Sequence, residues 1–171
     1  MDHVVLVDDN DRAIGTMEKL EAHRKGLLHR AFSVLVYNSN GDILVQRRAD
    51  SKYHSAGLWT NTCCSHPRPN ESMVDACARR LREEMSIEAE PRFLYKFTYR
   101  VELGDGLVEH EVDHVFRATF DGQPRANPDE VQDWKFIPVA DLLKDVAASP
   151  ERYTYWFRLI LEHQHPGVLA S

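Results

Sequence analysis

Residues 93–120 constrain the fold more than any other stretch. FLYKFTYRVEL (93–103) and LVEHEVDHVFRATF (107–120) are two long strand-like segments joined by GDG (104–106), a turn signal. They read as a long antiparallel pair. Alternate side chains of a strand share a face. Glu109 and Glu111 therefore project together with Asp113 beyond them, while Val108, Val112 and Phe116 face the other side with His110 and His114. Two carboxylates about 7 Å apart on one pleat repel unless water or a cation lies between them. A solvent-facing side of an edge hairpin and a bound metal both explain the pair.

Shorter signals surround this hairpin. VVLV (4–7) reads as a strand, and AFSVLVYN (31–38) and DILVQRR (42–48) flank SNG (39–41), a hairpin signal. TMEKLEAHRKG (16–26) reads as a polar, irregular approach, and residues 49–70, with Gly57, Pro67 and Pro69, as mainly loop. A helix is expected over 70–86, opened by Asn70 as cap, with Glu71 and Asp75 at its positive end. Val74, Cys77, Ala78, Leu81 and Met85 form its apolar stripe. Glu83 points towards water. Glu84 lies on the stripe's border one turn from Arg80, as a surface pair or as an acid facing an interior site. WKFIPV (134–139) reads as a strand, and ADLLKDVAA (140–148) and ERYTYWFRLILEHQ (151–164) as helices. Strands and helices mix without regular alternation, so the class is α+β. With no repeat or long linker, residues 1–171 are expected to form one domain.

A net charge of −6 argues against a nucleic-acid partner. QRRADSK (46–52) and ARRLR (78–82) are locally basic and suit a small anionic substrate. No apolar run approaches the roughly 20 residues that span a bilayer. The acidic N-terminus does not read as a signal peptide. No membrane insertion and a cytoplasmic location are the expectations.

NTCCSHP (61–67) holds two of only three cysteines. An odd count, a reducing compartment and the strain of bridging adjacent residues disfavour a disulfide. A metal site, a catalytic thiol and ordinary packing stay open, although C-C-x-H lacks the C-x2-C spacing of structural zinc sites. His23 and His29 in EAHRKGLLH, with His66 and the paired carboxylates, match the ligand preferences of Zn, Mn or Fe if folding joins them.

SHPRPNESMVDACARRLREEMSI (65–87) resembles the Nudix box, G-x5-E-x7-R-E-U-x-E-E-x-G-U, with Glu71, Arg79, Leu81, Glu83, Glu84 and Ile87 in register. Ser65 and Ser86 replace its two glycines, and Arg80 replaces the first glutamate of the R-E core. Those departures weaken a hydrolase reading. Together with EKLEAHRKGLLHRAFS, LVQRRADSK, GLWTNTCCSHP, VEHEV and YWF, they make the chain similar to the type I isopentenyl-diphosphate isomerases. These form a Nudix-fold branch, and the match runs from about residue 3 to residue 160.

The resemblance implies mixed sheets flanked by helices and conversion of isopentenyl diphosphate to dimethylallyl diphosphate. It implies Cys64 and Glu111 as the catalytic acid/base pair. His23, His29, His66, Glu109 and Glu111 are the implied ligands of one metal: Mn2+, Zn2+ or Mg2+. Glu84 is the implied carboxylate for a diphosphate-side Mg2+. Lys19, Arg48, Lys52 and Arg80 fall at diphosphate-contacting positions, and Tyr99 and Trp156 line the hydrocarbon pocket. Cys63 reads as a packing neighbour. A monomer is expected. The alternatives are a Nudix pyrophosphohydrolase of nucleoside diphosphate derivatives and a non-catalytic metal- or ligand-binding module.

Overall fold

The computed structural model describes residues 2–169; residues 1, 170 and 171 of the expected domain lie outside them. The strands are β1 His3–Val7, β2 Ala13–Glu18, β3 His29–Tyr37, β4 Ile43–Arg48, β5 Trp59–Thr60, β6 Cys63–Ser65, β7 Arg92–Gly104, β8 Leu107–Thr119 and β9 Val131–Ile137. The helices are α1 Lys19–Lys25, α2 Met73–Met85, α3 Val139–Ala148, α4 Tyr155–Glu162 and α5 Pro166–Leu169. The result is the mixed α+β class expected.

Strand β3 organises the molecule. Residues 31–37 are all buried, without the alternation of a half-exposed strand, because both faces are covered. Phe32, Val34 and Val36 pack with Cys77, Leu81 and Met85 of α2. Leu35 and Tyr37 pack with Leu142 of α3 and Trp156, Phe157 and Ile160 of α4. Along one edge, β8 runs parallel to β3, from His29 opposite Glu111 to Tyr37 opposite Thr119. β6 pairs antiparallel with β3, placing Cys64 opposite Ser33. The long β7–β8 hairpin forms as read, with Tyr99 opposite Glu111 and Val101 opposite Glu109. Gly104, Asp105 and Gly106 all take positive φ at its turn.

Five local expectations change. Residues 16–26 are not irregular: β2 ends at Glu18, whose carboxylate accepts from the Leu20 and Glu21 amides and starts α1. Gly26 ends α1 at φ 65, and an added Cβ there would come within 3.3 Å of Val108. Only Ala22 and His23 of this seven-residue helix are buried, too few for a periodic signal. Ser72, not Asn70, caps α2, its hydroxyl accepting from the Asp75 amide, while Asn70 sits in the preceding turn at φ 67. Val74 is 47% exposed, so the buried stripe is Ala76, Cys77, Leu81, Glu84 and Met85. β3 and β4 of the 31–48 hairpin pair in register at Tyr37 opposite Ile43, because β3 then follows β8 while β4 follows β9. The last helix begins at Tyr155, after a short 3-10 turn over Pro150–Arg152.

Leu81 is fully buried between α2 and β3. Leu81→Ala is expected to cost about 2–5 kcal/mol through lost burial and the cavity left behind, read as a lower midpoint in urea unfolding.

Candidate active site

The solvent-facing explanation of the hairpin acids fails: Glu109, Glu111 and Asp113 are each at most 4% exposed. Three histidines meet them from separate elements. His23 comes from α1, His29 from the first residue of β3, and His66 from just beyond β6. His23 Nδ1 lies 2.7 Å from the Lys19 carbonyl, and His29 Nδ1 lies 2.9 Å from the Leu27 carbonyl. A carbonyl only accepts, so both Nδ1 atoms carry protons, and in the neutral rings both Nε2 atoms are bare. Yet His29 Nε2 and His66 Nε2 lie 2.9 and 2.7 Å from the same oxygen, Glu111 Oε2. For His29, a lone pair facing a carboxylate at that distance requires a proton or a cation between them. Glu109 Oε2 is also buried without a hydrogen-bond partner among the described residues. Neutral imidazoles and carboxylates are the donor set of a divalent transition metal. His23, His29, His66 and Glu111 have ligand atoms all within 4.8 Å of one another. These residues fit a divalent ion.

Burial tends to lower the His29 pKa, but its hydrogen bond and charge contact with Glu111 hold it above the usual imidazole value. For His66 burial wins, taking it down to about 4 despite Glu111. Burial raises Glu111, and the bonds from His29 and His66 override it, leaving the carboxyl well below its usual range. Glu109 goes the other way, raised by burial and by the Glu111 charge. The Tyr99 hydroxyl donates to Glu111 Oε1 at 2.6 Å, fixing that carboxylate from the neighbouring strand.

The Cys64 thiol donates to Asn61 Oδ1 at 3.0 Å and accepts from the Trp156 indole N–H at 3.0 Å. The Asn61 amide nitrogen donates in turn to the Val34 and Cys63 carbonyls, which locks its oxygen towards the thiol. Burial first, outweighing the nearby Arg48, pushes the Cys64 pKa up to about 12. The resting group is a neutral thiol. Alkylation of Cys64 by iodoacetamide is therefore expected to be slow near neutrality and to climb about tenfold per pH unit from pH 7 to 10, because only the thiolate reacts. A plateau near pH 8.5, read by mass spectrometry of the labelled peptide, contradicts this. Cys63 is fully buried, with its thiol donating to Glu84 at 3.0 Å.

Cys64, His66, Tyr99, Glu109, Glu111 and Trp156 line a single cavity of about 120 Å³, together with Lys19, Arg48, Lys52 and Arg80. Arg48 stacks over the Trp156 ring at 5.3 Å and so joins the two groups. Arg48 Nε and Arg80 Nε are buried without hydrogen-bond partners among the described residues, as donors prepared for an anion. Glu130 holds Lys52 at 2.6 Å and Arg80 at 3.3 Å. His23 and His29 stand behind the cavity wall with no exposure. Glu84, 4% exposed, also lies behind it, with Arg80 Nη2 at 3.4 Å and Gln46 Nε2 at 3.4 Å.

Sequence reasoning missed Asn61, Tyr53, His54 and Glu130, as well as Arg68 and Arg79 at the basic end of the cavity. The place of Lys52 in a basic stretch could not signal a partner 78 residues away at Glu130. His54 lies in the 49–58 segment, where no periodicity distinguishes one side chain from another.

The Nudix domain family matches residues 27–157. The chain is 50% identical to isopentenyl-diphosphate Delta-isomerase 2 of Aromatoleum aromaticum, over 94% of this chain and 85% of that one. It is 46% identical to the isopentenyl-diphosphate Delta-isomerase of Serratia proteamaculans, over 93% of this chain and 89% of that one. In fold it resembles the crystal structure of DR0079 from Deinococcus radiodurans. The TM-score is 0.72 at 22% identity, over 86% of this chain and 90% of that one.

Proposed function

Because the chain belongs to the isopentenyl-diphosphate Delta-isomerase family within the Nudix superfamily, we propose that Cys64 and Glu111 carry out its proton exchange. The reaction reversibly converts isopentenyl diphosphate to dimethylallyl diphosphate. A proton added to the terminal alkene carbon leaves a tertiary carbocation. Loss of a proton from C2 then restores a neutral alkene, with no net gain or loss. The exchange needs two groups on the substrate's flanks, one holding a proton and one able to take one. At rest Cys64 is protonated and Glu111 ionised, a complementary pair.

Trp156 offers an indole face beside the thiol. A cation over such a face gains about 2 kcal/mol or more once water is excluded. Tyr99 and Trp156 give the five-carbon tail its apolar wall. So short a tail binds weakly, so the diphosphate anchors the substrate through Lys19, Arg48, Lys52 and Arg80. His23, His29, His66, Glu109 and Glu111 would hold a divalent ion, assigned as Mn2+, Zn2+ or Mg2+, whose positive charge would keep Glu111 ionised and oriented. Mg2+ is assigned to the diphosphate side with Glu84 as its protein carboxylate. Glu84 would hold that ion beside its present contacts to Cys63, Gln46 and Arg80.

The observation that carries this reading is one cavity lined by the Cys64 thiol and the Glu111 carboxylate, with six Lys and Arg side chains also in its lining. It includes action as a cytoplasmic monomer. No helix among the described residues is long and apolar enough to cross a membrane. Incubation of purified protein with isopentenyl diphosphate and Mg2+ is expected to yield dimethylallyl diphosphate. No such product across Mg2+, Mn2+ and Zn2+ removes the reading. Arg80 stands where a hydrolase carries an acid, so release of phosphate is not expected.

A further inference from the structure

We propose that His54 is a further protein ligand of the divalent-metal centre, joining Glu109 and His23 as a fourth imidazole. The inference rests on reading this centre as a metal site. The five expected donors do not form one tight group. Glu109 falls instead with His23 and His54, whose ligand atoms lie within 4.8 Å of one another. His54 Nε2 lies 4.0 Å from Glu109 Oε2, too far for a hydrogen bond. Two donors each about 2.1 Å from one ion can stand at most about 4.2 Å apart, so the pair fits across a shared ion.

Glu109 Oε2 is a buried oxygen without a hydrogen-bond partner among the described residues, and it lies 4.0 Å from this imidazole's Nε2. The His54 side chain is only 6% exposed. Its position is built. Nδ1 contacts Ser55 Oγ at 3.1 Å, Arg48 donates to its carbonyl at 3.2 Å, and the ring stacks on His23 at 5.8 Å. Nε2 is left to face Glu109. Four imidazoles and two carboxylates would supply six donors.

The test uses the full chain without substrate, titrated with Mn2+ and with Co2+ in competition with a chelator. Wild type is expected to bind one ion per chain. His54→Ala and His54→Gln are each expected to lose at least about tenfold in Mn2+ affinity, the lower end of what even outer-shell partners of a metal contribute. The visible absorption of the Co2+ form is expected to strengthen as coordination falls from six to five. Circular dichroism checks that the variants fold, and the glutamine variant preserves bulk without an imidazole. Unchanged affinity and an unchanged Co2+ spectrum in both folded variants overturn the proposal. So does a second ion per wild-type chain that disappears with His54, which would make a separate site. No ion bound by wild type at all overturns the metal-centre reading itself.

Discussion

Cys64→Ala lowers turnover of isopentenyl diphosphate by about 10²- to 10⁴-fold, the contribution of one positioned proton-transfer group. Alanine removes the proton that the thiol holds between Asn61 and the Trp156 indole. The two groups bonded to the thiol cannot substitute: the Asn61 amide does not titrate, and the Trp156 indole N–H is far too weak an acid. Cys63→Ala is the control. Its thiol is fully buried against Glu84, behind the cavity, so the variant is expected to lose stability while turnover stays within a few-fold. Steady-state kinetics on both variants, with urea unfolding, separate the roles. Equal losses of turnover would reverse the assignment of the adjacent thiols.

Glu111→Gln is the second large effect. The amide keeps the carboxylate's shape but loses its charge, and it cannot take up a proton at the working pH. Turnover is expected to fall by about 10²- to 10⁴-fold. Mn2+ affinity is expected to fall by at least about tenfold, because Glu111 Oε2 is the atom on which His29 and His66 converge. Tyr99 still has an oxygen to donate to, so the hairpin should hold its register. Single-turnover kinetics with saturating Mn2+ isolate the chemical loss from the binding loss. Turnover within tenfold of wild type under those conditions would assign the proton exchange to another carboxylate.

The parts of the fold that were legible are those with long periodic signals. The β7–β8 hairpin has enough alternating residues and a turn with the right chemistry. α2 shows through Cys77, Leu81 and Met85 even though Val74 faces water. α1 was not legible, because a helix of seven residues with two buried side chains has no period to detect. Asn70 satisfied every local rule for a cap, yet the turn it occupies shifts that role to Ser72 two residues later. His54 carried no signal at all. Its neighbours Glu109 and His23 are 55 and 31 residues away in the chain.

The sequence alone determined which chemical groups the chain carries and which face of each strand bears them. Glu109 and Glu111 share a side of β8 because backbone geometry repeats every two residues, wherever that strand goes. Which groups meet was decided by tertiary structure. Parallel pairing brings His29 beside Glu111, antiparallel pairing sets Cys64 against Ser33, and a short helix swings His23 onto the same spot. Such meetings depend on register and on packing over long separations, and neither leaves a mark in the local pattern of residues.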